Sequence, residues 1–397
     1  MQWIERFGGR TFAYAAFANF LHSMGFHTYL HLPGYLEGLG ADPFQMGLVI
    51  AIAHIVAIAV RPTVGRWVDN RGRRPVALGG GVLALISALA YLQIDRLGPA
   101  LYALRVLHGV ALGALFSVLF TIAADVVPAQ RRAQGIAIFG ISGMLPLALG
   151  GLMGDLLLSG AGPSPGPEAY ARIFMAISTC AGLGLLASFP IPETRDPKVR
   201  PTRTYAAAAS APELRSVWFI GLAFAFALAA FFVFLKTYTI ERGLSSLGEA
   251  FSWYAGVAIA LRIFFGGLPE RVGMKRVLFP ALAASAAGLL LLSLAGSAWE
   301  VDLAAALCGA GHGFAFPIIS ALVVERARPE ERGSAVSLFT ALFDFGVLAG
   351  GPTLGWVVKN WSYGPMFAIA AAICAVASVI FWFWDREAPP AAAAARG

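Results

Sequence analysis

The sequence predicts an all-α membrane protein of twelve transmembrane helices arranged as two pseudo-symmetric six-helix bundles. Three observations carry that prediction: an apolar excess, a succession of span-length apolar runs, and a repeat at a fixed offset. The 397-residue chain is 58% hydrophobic and 13% charged, with a mean hydropathy of +0.72, against an apolar share of about 45–50% in soluble domains. Lipid is therefore the expected solvent and partner. A net charge of +7 would suit nucleic acid, but the basic residues are spread over short connections between apolar runs. That pattern excludes nucleic acid and fits membrane topology. Cys180, Cys308 and Cys374 lie singly inside apolar runs, so neither a disulfide framework nor a metal motif is expected.

A spanning helix needs about 20 mostly apolar residues. In chain order that yardstick marks spans 1 to 12 at 12–36, 44–66, 76–94, 100–124, 134–158, 171–190, 215–240, 249–268, 277–296, 299–324, 334–358 and 363–384. The charged opening "MQWIERFGGR" and the long first run without a small-residue cleavage site predict a retained first helix instead of a signal peptide. Between spans 2 and 3 the stretch "VGRWVDNRGRRP" (Val64 to Pro75) concentrates charge in a loop. After span 6, "PETRDPKVRPTRTYAAAASAPELRS" (Pro192 to Ser216) is rich in Pro, charge and small residues and reads as a linker. The expected domains are 1–192, a cytoplasmic linker at 193–214, and 215–397.

Basic residues fix the orientation. The terminal segments and the connections after even-numbered spans, with the span ends that adjoin them, hold 23 of the 29 Lys and Arg residues, and the opposite connections with their adjoining span ends hold four: Arg96, Arg172, Arg242 and Lys359. Positive charge stays cytoplasmic, so both termini are expected on the cytoplasmic side.

The halves repeat. At an offset of 201 residues, "RPTVGRWVDNRGRRP" from Arg61 meets "RIFFGGLPERVGMKR" from Arg262, aligning Gly65 with Gly266, Asp69 with Glu270, Gly72 with Gly273 and Arg74 with Lys275. The same shift aligns Pro128 and Arg131 with Pro329 and Arg332, and Gly150 and Gly154 with Gly351 and Gly355. Three regions agreeing on one shift indicate internal duplication, a common transporter device.

With these residues in hand the chain resembles the major facilitator superfamily of secondary transporters, most like its twelve-helix drug:proton antiporter branch. Gly65 to Arg74 is similar to the family's loop signature between helices 2 and 3. "RVLHGVALG" (Arg105 to Gly113) is similar to the helix 4 signature of proton-coupled members. "GMLPLALGGLMG" from Gly143 departs from the antiporters' helix 5 pattern, and "GGPTLGW" from Gly350 lies closer to it. The resemblance implies a conformational latch of Gly65, Asp69, Arg71, Gly72, Arg73 and Arg74. In it Asp69 faces the start of helix 11 near Gly333 and Ser334, and Arg74 pairs with Asp125. It also implies a weaker mirror copy of Glu270, Lys275 and Glu325. An acid near a helix N-terminus gains about 0.3–1 kcal/mol from the helix dipole.

Charged and titratable groups at membrane depth are costly and mark function. Spans 3, 6, 9 and 12 carry none in their interiors, whereas spans 1, 4, 7, 10 and 11 carry His22, His27, His31, Arg105, His108, Lys236, His312 and Asp344. Helical depth places Arg105 level with His31 and His108 level with His27, predicting a cluster of these four. Asp344 is the acid nearest mid-span. The proton-coupling candidates are therefore Asp344, Arg105, His312, His27, His31 and His108, since carboxylates and imidazoles can load and release protons. The substrate-cavity candidates are His22, Tyr29, Phe231, Lys236, Tyr238, Tyr254, Phe314 and Phe316. Met24, His27 and His31 share one helical face, which offers an alternative reading as a transition-metal or metal-chelate transporter.

No Walker motif is present, so no nucleotide cofactor is expected, and no nucleophile-base pair points to an enzyme. The resemblance implies a monomeric secondary transporter of a bacterial cytoplasmic (inner) membrane that moves a small organic substrate by alternating access, coupled to protons as efflux, with a proton-coupled importer of the same fold as the alternative.

Overall fold

The computed structural model describes residues 5–159, 166–196, 206, 209–244 and 247–385. Among the described residues twelve long helices follow one another: α1 (Gly9–Thr28), α2 (Pro43–Arg71), α3 (Arg73–Tyr91), α4 (Pro99–Val126), α5 (Arg132–Leu158), α6 (Ala171–Ser188), α7 (Pro212–Arg242), α8 (Leu247–Phe265), α9 (Met274–Leu294), α10 (Ala298–Arg326), α11 (Arg332–Asn360) and α12 (Tyr363–Trp384). No strand occurs among the described residues. All except α1 and α8, ten in number, are long and apolar enough to cross a membrane. The polar residues Arg10, Asn19, His22, Ser23 and His27 dilute α1.

Two boundaries differ from the sequence reading. Span 1 breaks after Thr28 into a 3-10 turn (Tyr29–His31) and a short helix (Leu32–Gly38). The charged loop after span 2 is mostly helix: α2 continues to Arg71, and Gly72 alone, at φ +105°, separates it from α3. Gly273, at φ +110°, makes the matching turn in the second half. Both positions demand a left-handed backbone that glycine adopts without steric cost. Pro128 and Pro329 likewise stand at two matching 3-10 turns, Ala129–Arg131 before α5 and Pro329–Glu331 before α11.

Contacts divide the chain into two units, Met1–Pro128 with Ser142–Thr202, and Ala129–Ile141 with Arg203–Gly397. In the first, α4 packs on α1, α2 and α3, and α6 packs on α1 and α3. In the second, α10 packs on α7, α8 and α9, and α12 packs on α7 and α9. The pairings match helix for helix, as duplication requires.

Small residues set the closest approaches. A Cβ on Gly109 or Gly113 of α4 would stand 2.6 or 2.7 Å from the carbonyl oxygens of Ala53 or Ala57 on α2. Gly309 brings α10 against the Tyr254 backbone of α8, where a Cβ would overlap the Tyr254 carbonyl, and Gly313 makes a looser approach, where a Cβ would stand 3.2 Å from Ala258 Cα. Backbone contact through small residues is how helices pack where lipid removes the hydrophobic drive.

Candidate functional site

In the first unit the stripe Arg105, Gly109, Gly113, spaced four apart, faces α2. The two glycines draw α2 in, and Arg105 then reaches its backbone: Nε donates to the Val49 carbonyl at 2.8 Å and Nη2 to the Ile50 carbonyl at 3.1 Å. Nη1 donates to the Tyr91 hydroxyl at 3.2 Å and to His108 Nδ1 at 3.0 Å. A guanidinium has no lone pair to offer, so His108 Nδ1 is the acceptor and its proton sits on Nε2. Arg105 is 3% exposed, and all these partners are neutral. Tyr29 covers the network, its ring 4.4 Å from His108 and 5.2 Å from Tyr91, while Phe174 stacks on Tyr91 at 5.0 Å.

The expected four-member cluster is only half assembled. His27 and His31 do share a face, but that face meets α5 and not Arg105. His31 Nε2 donates to the Gly151 carbonyl at 3.0 Å and lies 3.7 Å from Asp155. A Cβ on Gly150 would stand 2.7 Å from His27 Cβ, and one on Gly154 would overlap the His31 ring. The glycines of "GMLPLALGGLMG" thus make room for the α1 histidines. His22 packs against Gly184 of α6. Among the described residues, no three of His, Cys, Asp and Glu gather where they could hold a metal ion.

In the second unit, His312 of α10 hydrogen-bonds the Tyr254 hydroxyl through Nδ1. Phe224, Phe232, Phe316 and Phe343 surround the imidazole with centroids 5.7 to 6.3 Å away, and Phe231 stacks on Tyr254 at 4.9 Å. Below this box, Arg262 of α8 is 1% exposed. Its Nε donates to the Gly313 carbonyl at 3.2 Å and its Nη2 to the His312 carbonyl at 3.3 Å. Pro317 has no N–H to give to the residue four before it, so the Gly313 carbonyl has no helical donor and Arg262 supplies one. Asp344, half-buried on α11, neighbours Phe343, but His312 Nδ1 is bonded to Tyr254. Tyr238 lies outside the box, donating to the Leu292 carbonyl at 3.0 Å beside Phe367. Phe314 is half-buried without a ring partner in the box, and the Lys236 side chain lies outside the described residues.

Two charged hubs stand at the helix ends. In the first unit Arg73 Nε donates to Asp125 at 2.9 Å, Nη1 lies 3.8 Å from Asp69, and the same nitrogen donates to the Val68 carbonyl at 3.0 Å. Asp69 sits in the last turn of α2, where its own helix dipole is unfavourable, and Arg73 offsets that charge. The Glu193 carboxylate accepts the Arg73 and Arg74 backbone N–H groups at 2.9 and 3.1 Å, capping α3.

In the second unit Asp385, 1% exposed, receives both Arg326 guanidinium nitrogens at 2.7 and 2.8 Å and Lys275 Nζ at 2.6 Å. Burial works to raise its pKa, but the hydrogen bonds from Arg326, Lys275 and Ser216 outweigh burial and hold it at about 2. Glu270 accepts the Gln134 N–H at 2.7 Å in the first turn of α5. There burial pushes its carboxyl above the usual range against those backbone hydrogen bonds.

The model of the Major Facilitator Superfamily matches residues 12–268 and 245–397. The chain belongs to that superfamily. It is a multi-pass membrane transporter and not an enzyme. It is 26% identical over 372 residues to the "Uncharacterized MFS-type transporter YhhS" of Escherichia coli (strain K12), spanning 90% of this chain and 88% of that one. Among solved structures it is similar to the human organic anion transporter MFSD10 (TETRAN), with TM-score 0.81, 20% identity and coverage of 94% and 99%. It is also similar to the proton:xylose symporter XylE, with TM-score 0.80, 13% identity and coverage of 97% of each chain. At these identities the likeness is one of fold.

The superfamily signature needs two corrections in this chain. Asp125 pairs with Arg73, not Arg74, whose guanidinium instead donates to the Ile191 and Phe189 carbonyls at 3.1 Å. Glu325 is exposed and outside the second hub; Arg326, which aligns with Asp125 at the 201 offset, takes the place with the sign reversed and pairs with Asp385. Arg71 is exposed and lies 5.3 Å over the Trp67 ring, while Gly65 is buried in α2. Glu193, Asp385, Tyr91 and Arg262 escaped the sequence reading. The signal for the first two was present: the first acid after span 6 and the first acid after span 12.

Proposed function

We propose that the protein exports a small, partly apolar organic substrate in exchange for protons across a bacterial cytoplasmic membrane, with both termini cytoplasmic. The Arg105 network supports this reading most. A buried guanidinium whose described partners are all neutral keeps an uncompensated positive field, and a proton in reach of that field leaves more readily. Any exchangeable proton or anionic group that enters and leaves its vicinity during alternating access is therefore coupled to the motion. Asp344 and His312 are the proton-carrying candidates of the second unit, and the aromatic box around His312 suits an apolar substrate surface. Gly72 and Gly273, with the hubs around Arg73 and Asp385, serve as the rigid ends of the conformational latch. The Lys and Arg distribution supports the orientation.

The test begins with thermal-shift screening of organic ligands on detergent-purified protein, since ligands of the folded state raise apparent stability. Ligands that score are then presented to proteoliposomes loaded with the pH dye pyranine. Substrate movement accompanied by opposite proton movement is expected and is lost in Arg105→Ala. Proton movement in the same direction assigns import, and substrate movement without any lumenal pH change rejects proton coupling.

A further inference from the structure

A groove of about 370 Å³ runs between α7 and α12, lined by Phe219 and Ala223 on one side and Ala372, Ile373, Val376 and Ile380 on the other. Val376 and Ile380 are exposed, so the groove opens outward along two helices of membrane-spanning length. Its walls are two helical stripes. On α7 the positions Arg215, Phe219 and Ala223 recur every four residues. On α12 the positions Ile369, Ile373, Val376, Ile380 and Trp384 recur every three or four. Both stripes end in interfacial residues at the same end of the pair. Trp384 closes the α12 stripe at the helix end, its ring 5.8 Å from Phe219, and Trp is the side chain that favours the lipid–water boundary. Arg215 stands in the first turn of α7, exposed, with only Nε engaged by the Ser210 carbonyl at 2.9 Å. Glu213 points about 200° away around the helix, so it does not neutralise the stripe. The lining residues Ile369 to Ile380 cover about 17 Å of helix rise, against about 15 Å for half of the hydrocarbon core, and Arg215 and Trp384 stand about one turn beyond the lining at the same end. The groove therefore matches one leaflet in length, with a cation where the phosphate of that leaflet lies.

We infer that this groove is a binding site for one anionic phospholipid, whose acyl chain fills the channel between α7 and α12 and whose phosphate meets the Arg215 guanidinium. The charge of the mouth selects the occupant. An acyl chain alone needs only the apolar walls, but an exposed cation in line with them favours an anionic headgroup, as basic residues at the inner leaflet do.

The experiment is native mass spectrometry of the full-length protein, delipidated in detergent and titrated with palmitoyl-oleoyl phosphatidylglycerol or with phosphatidylcholine of the same chains. One phosphatidylglycerol should bind about fivefold more tightly than phosphatidylcholine, the effect of one basic residue at the surface. Arg215→Gln should erase that preference, weakening phosphatidylglycerol more than phosphatidylcholine, whose phosphate is offset by its choline cation. Ala372→Trp, which fills an exposed part of the groove, should abolish binding of both. Should that variant not fold, phosphatidylglycerol with a brominated acyl chain locates the lipid in the wild-type protein by anomalous scattering, and bromine between α7 and α12 is the expected position. Equal binding of the two lipids by wild type, retention of lipid by Ala372→Trp, bromine elsewhere, or a dimer that Ala372→Trp disperses would each overturn the proposal.

Discussion

Removing the charge of Asp385 is the perturbation with the best-defined cost. The carboxylate is buried, and its pKa of about 2 lies well under the ordinary 3.8, because hydrogen bonds from Arg326, Lys275 and Ser216 outweigh a burial effect of opposite sign. That difference corresponds to about 2 kcal/mol of stabilisation of the folded state. The folded-state value is the lower one, so the stabilisation is complete above about pH 4 and is lost as pH falls through about 2. Asp385→Asn keeps the shape, removes the charge and leaves Arg326 without its bidentate acceptor. It should cost about 2–3 kcal/mol at pH 7, lowering the apparent melting temperature in detergent by about 5 °C. Tryptophan fluorescence or circular dichroism melts at pH 7, 5, 4, 3 and 2 make the test. The gap between wild type and variant should hold from pH 7 to pH 4 and close toward pH 2. Equal melting temperatures at pH 7, or a gap that does not depend on pH, would refute the assignment of Asp385 as an ionised hub.

Three further outcomes follow from the geometry. Arg262→Ala should destabilise by about 1–3 kcal/mol by orphaning the Gly313 carbonyl, and by less in a Pro317→Ala background, where residue 317 regains its N–H; additive losses in a double-mutant cycle would disprove the bond. Gly72→Ala forces a Cβ into a left-handed backbone and against the Glu193 carboxylate, so a loss of about 1–2 kcal/mol in thermal or denaturant unfolding is expected, with Gly79→Ala, which meets open space, as the mild control. Glu270 has a raised pKa, so its ionisation is disfavoured in place; Glu270→Gln should be neutral to stabilising at pH 7 and lose that advantage below about pH 4, read as the difference in melting temperature between the two pH values.

Span length and the 201-residue repeat were legible because both are recorded in composition: apolar runs of membrane length and glycines at fixed offsets survive any rearrangement of neighbours. The rotation of each helix was not. His27 and His31 occupy one face by spacing alone, yet which helix that face meets depends on the packing of α1, and the glycines of α5 decide it. Arg73 and Arg74 are adjacent and about 100° apart on α3; only the position of Asp125 selects between them. The second hub hid for another reason. Duplication preserved its position but exchanged the signs, Asp125 for Arg326, so matching like residues led to Glu325. Glu193 and Asp385 lie past helix ends, where no periodicity reveals a partner. Arg262 was visible in the alignment with Arg61, but its use depends on Pro317 fifty-five residues later in the chain, which frees the carbonyl it bonds.

The proposed coupling of transport to protons through buried titratable and charged groups is tested most directly at Asp344. Asp344→Asn imitates the protonated acid. In proteoliposomes carrying a substrate identified by the ligand screen, the variant should still exchange labelled for unlabelled substrate across the membrane, because exchange needs no net proton release. It should fail to concentrate that substrate when a pH difference is imposed. Concentration against a gradient at the wild-type rate by Asp344→Asn would contradict the account.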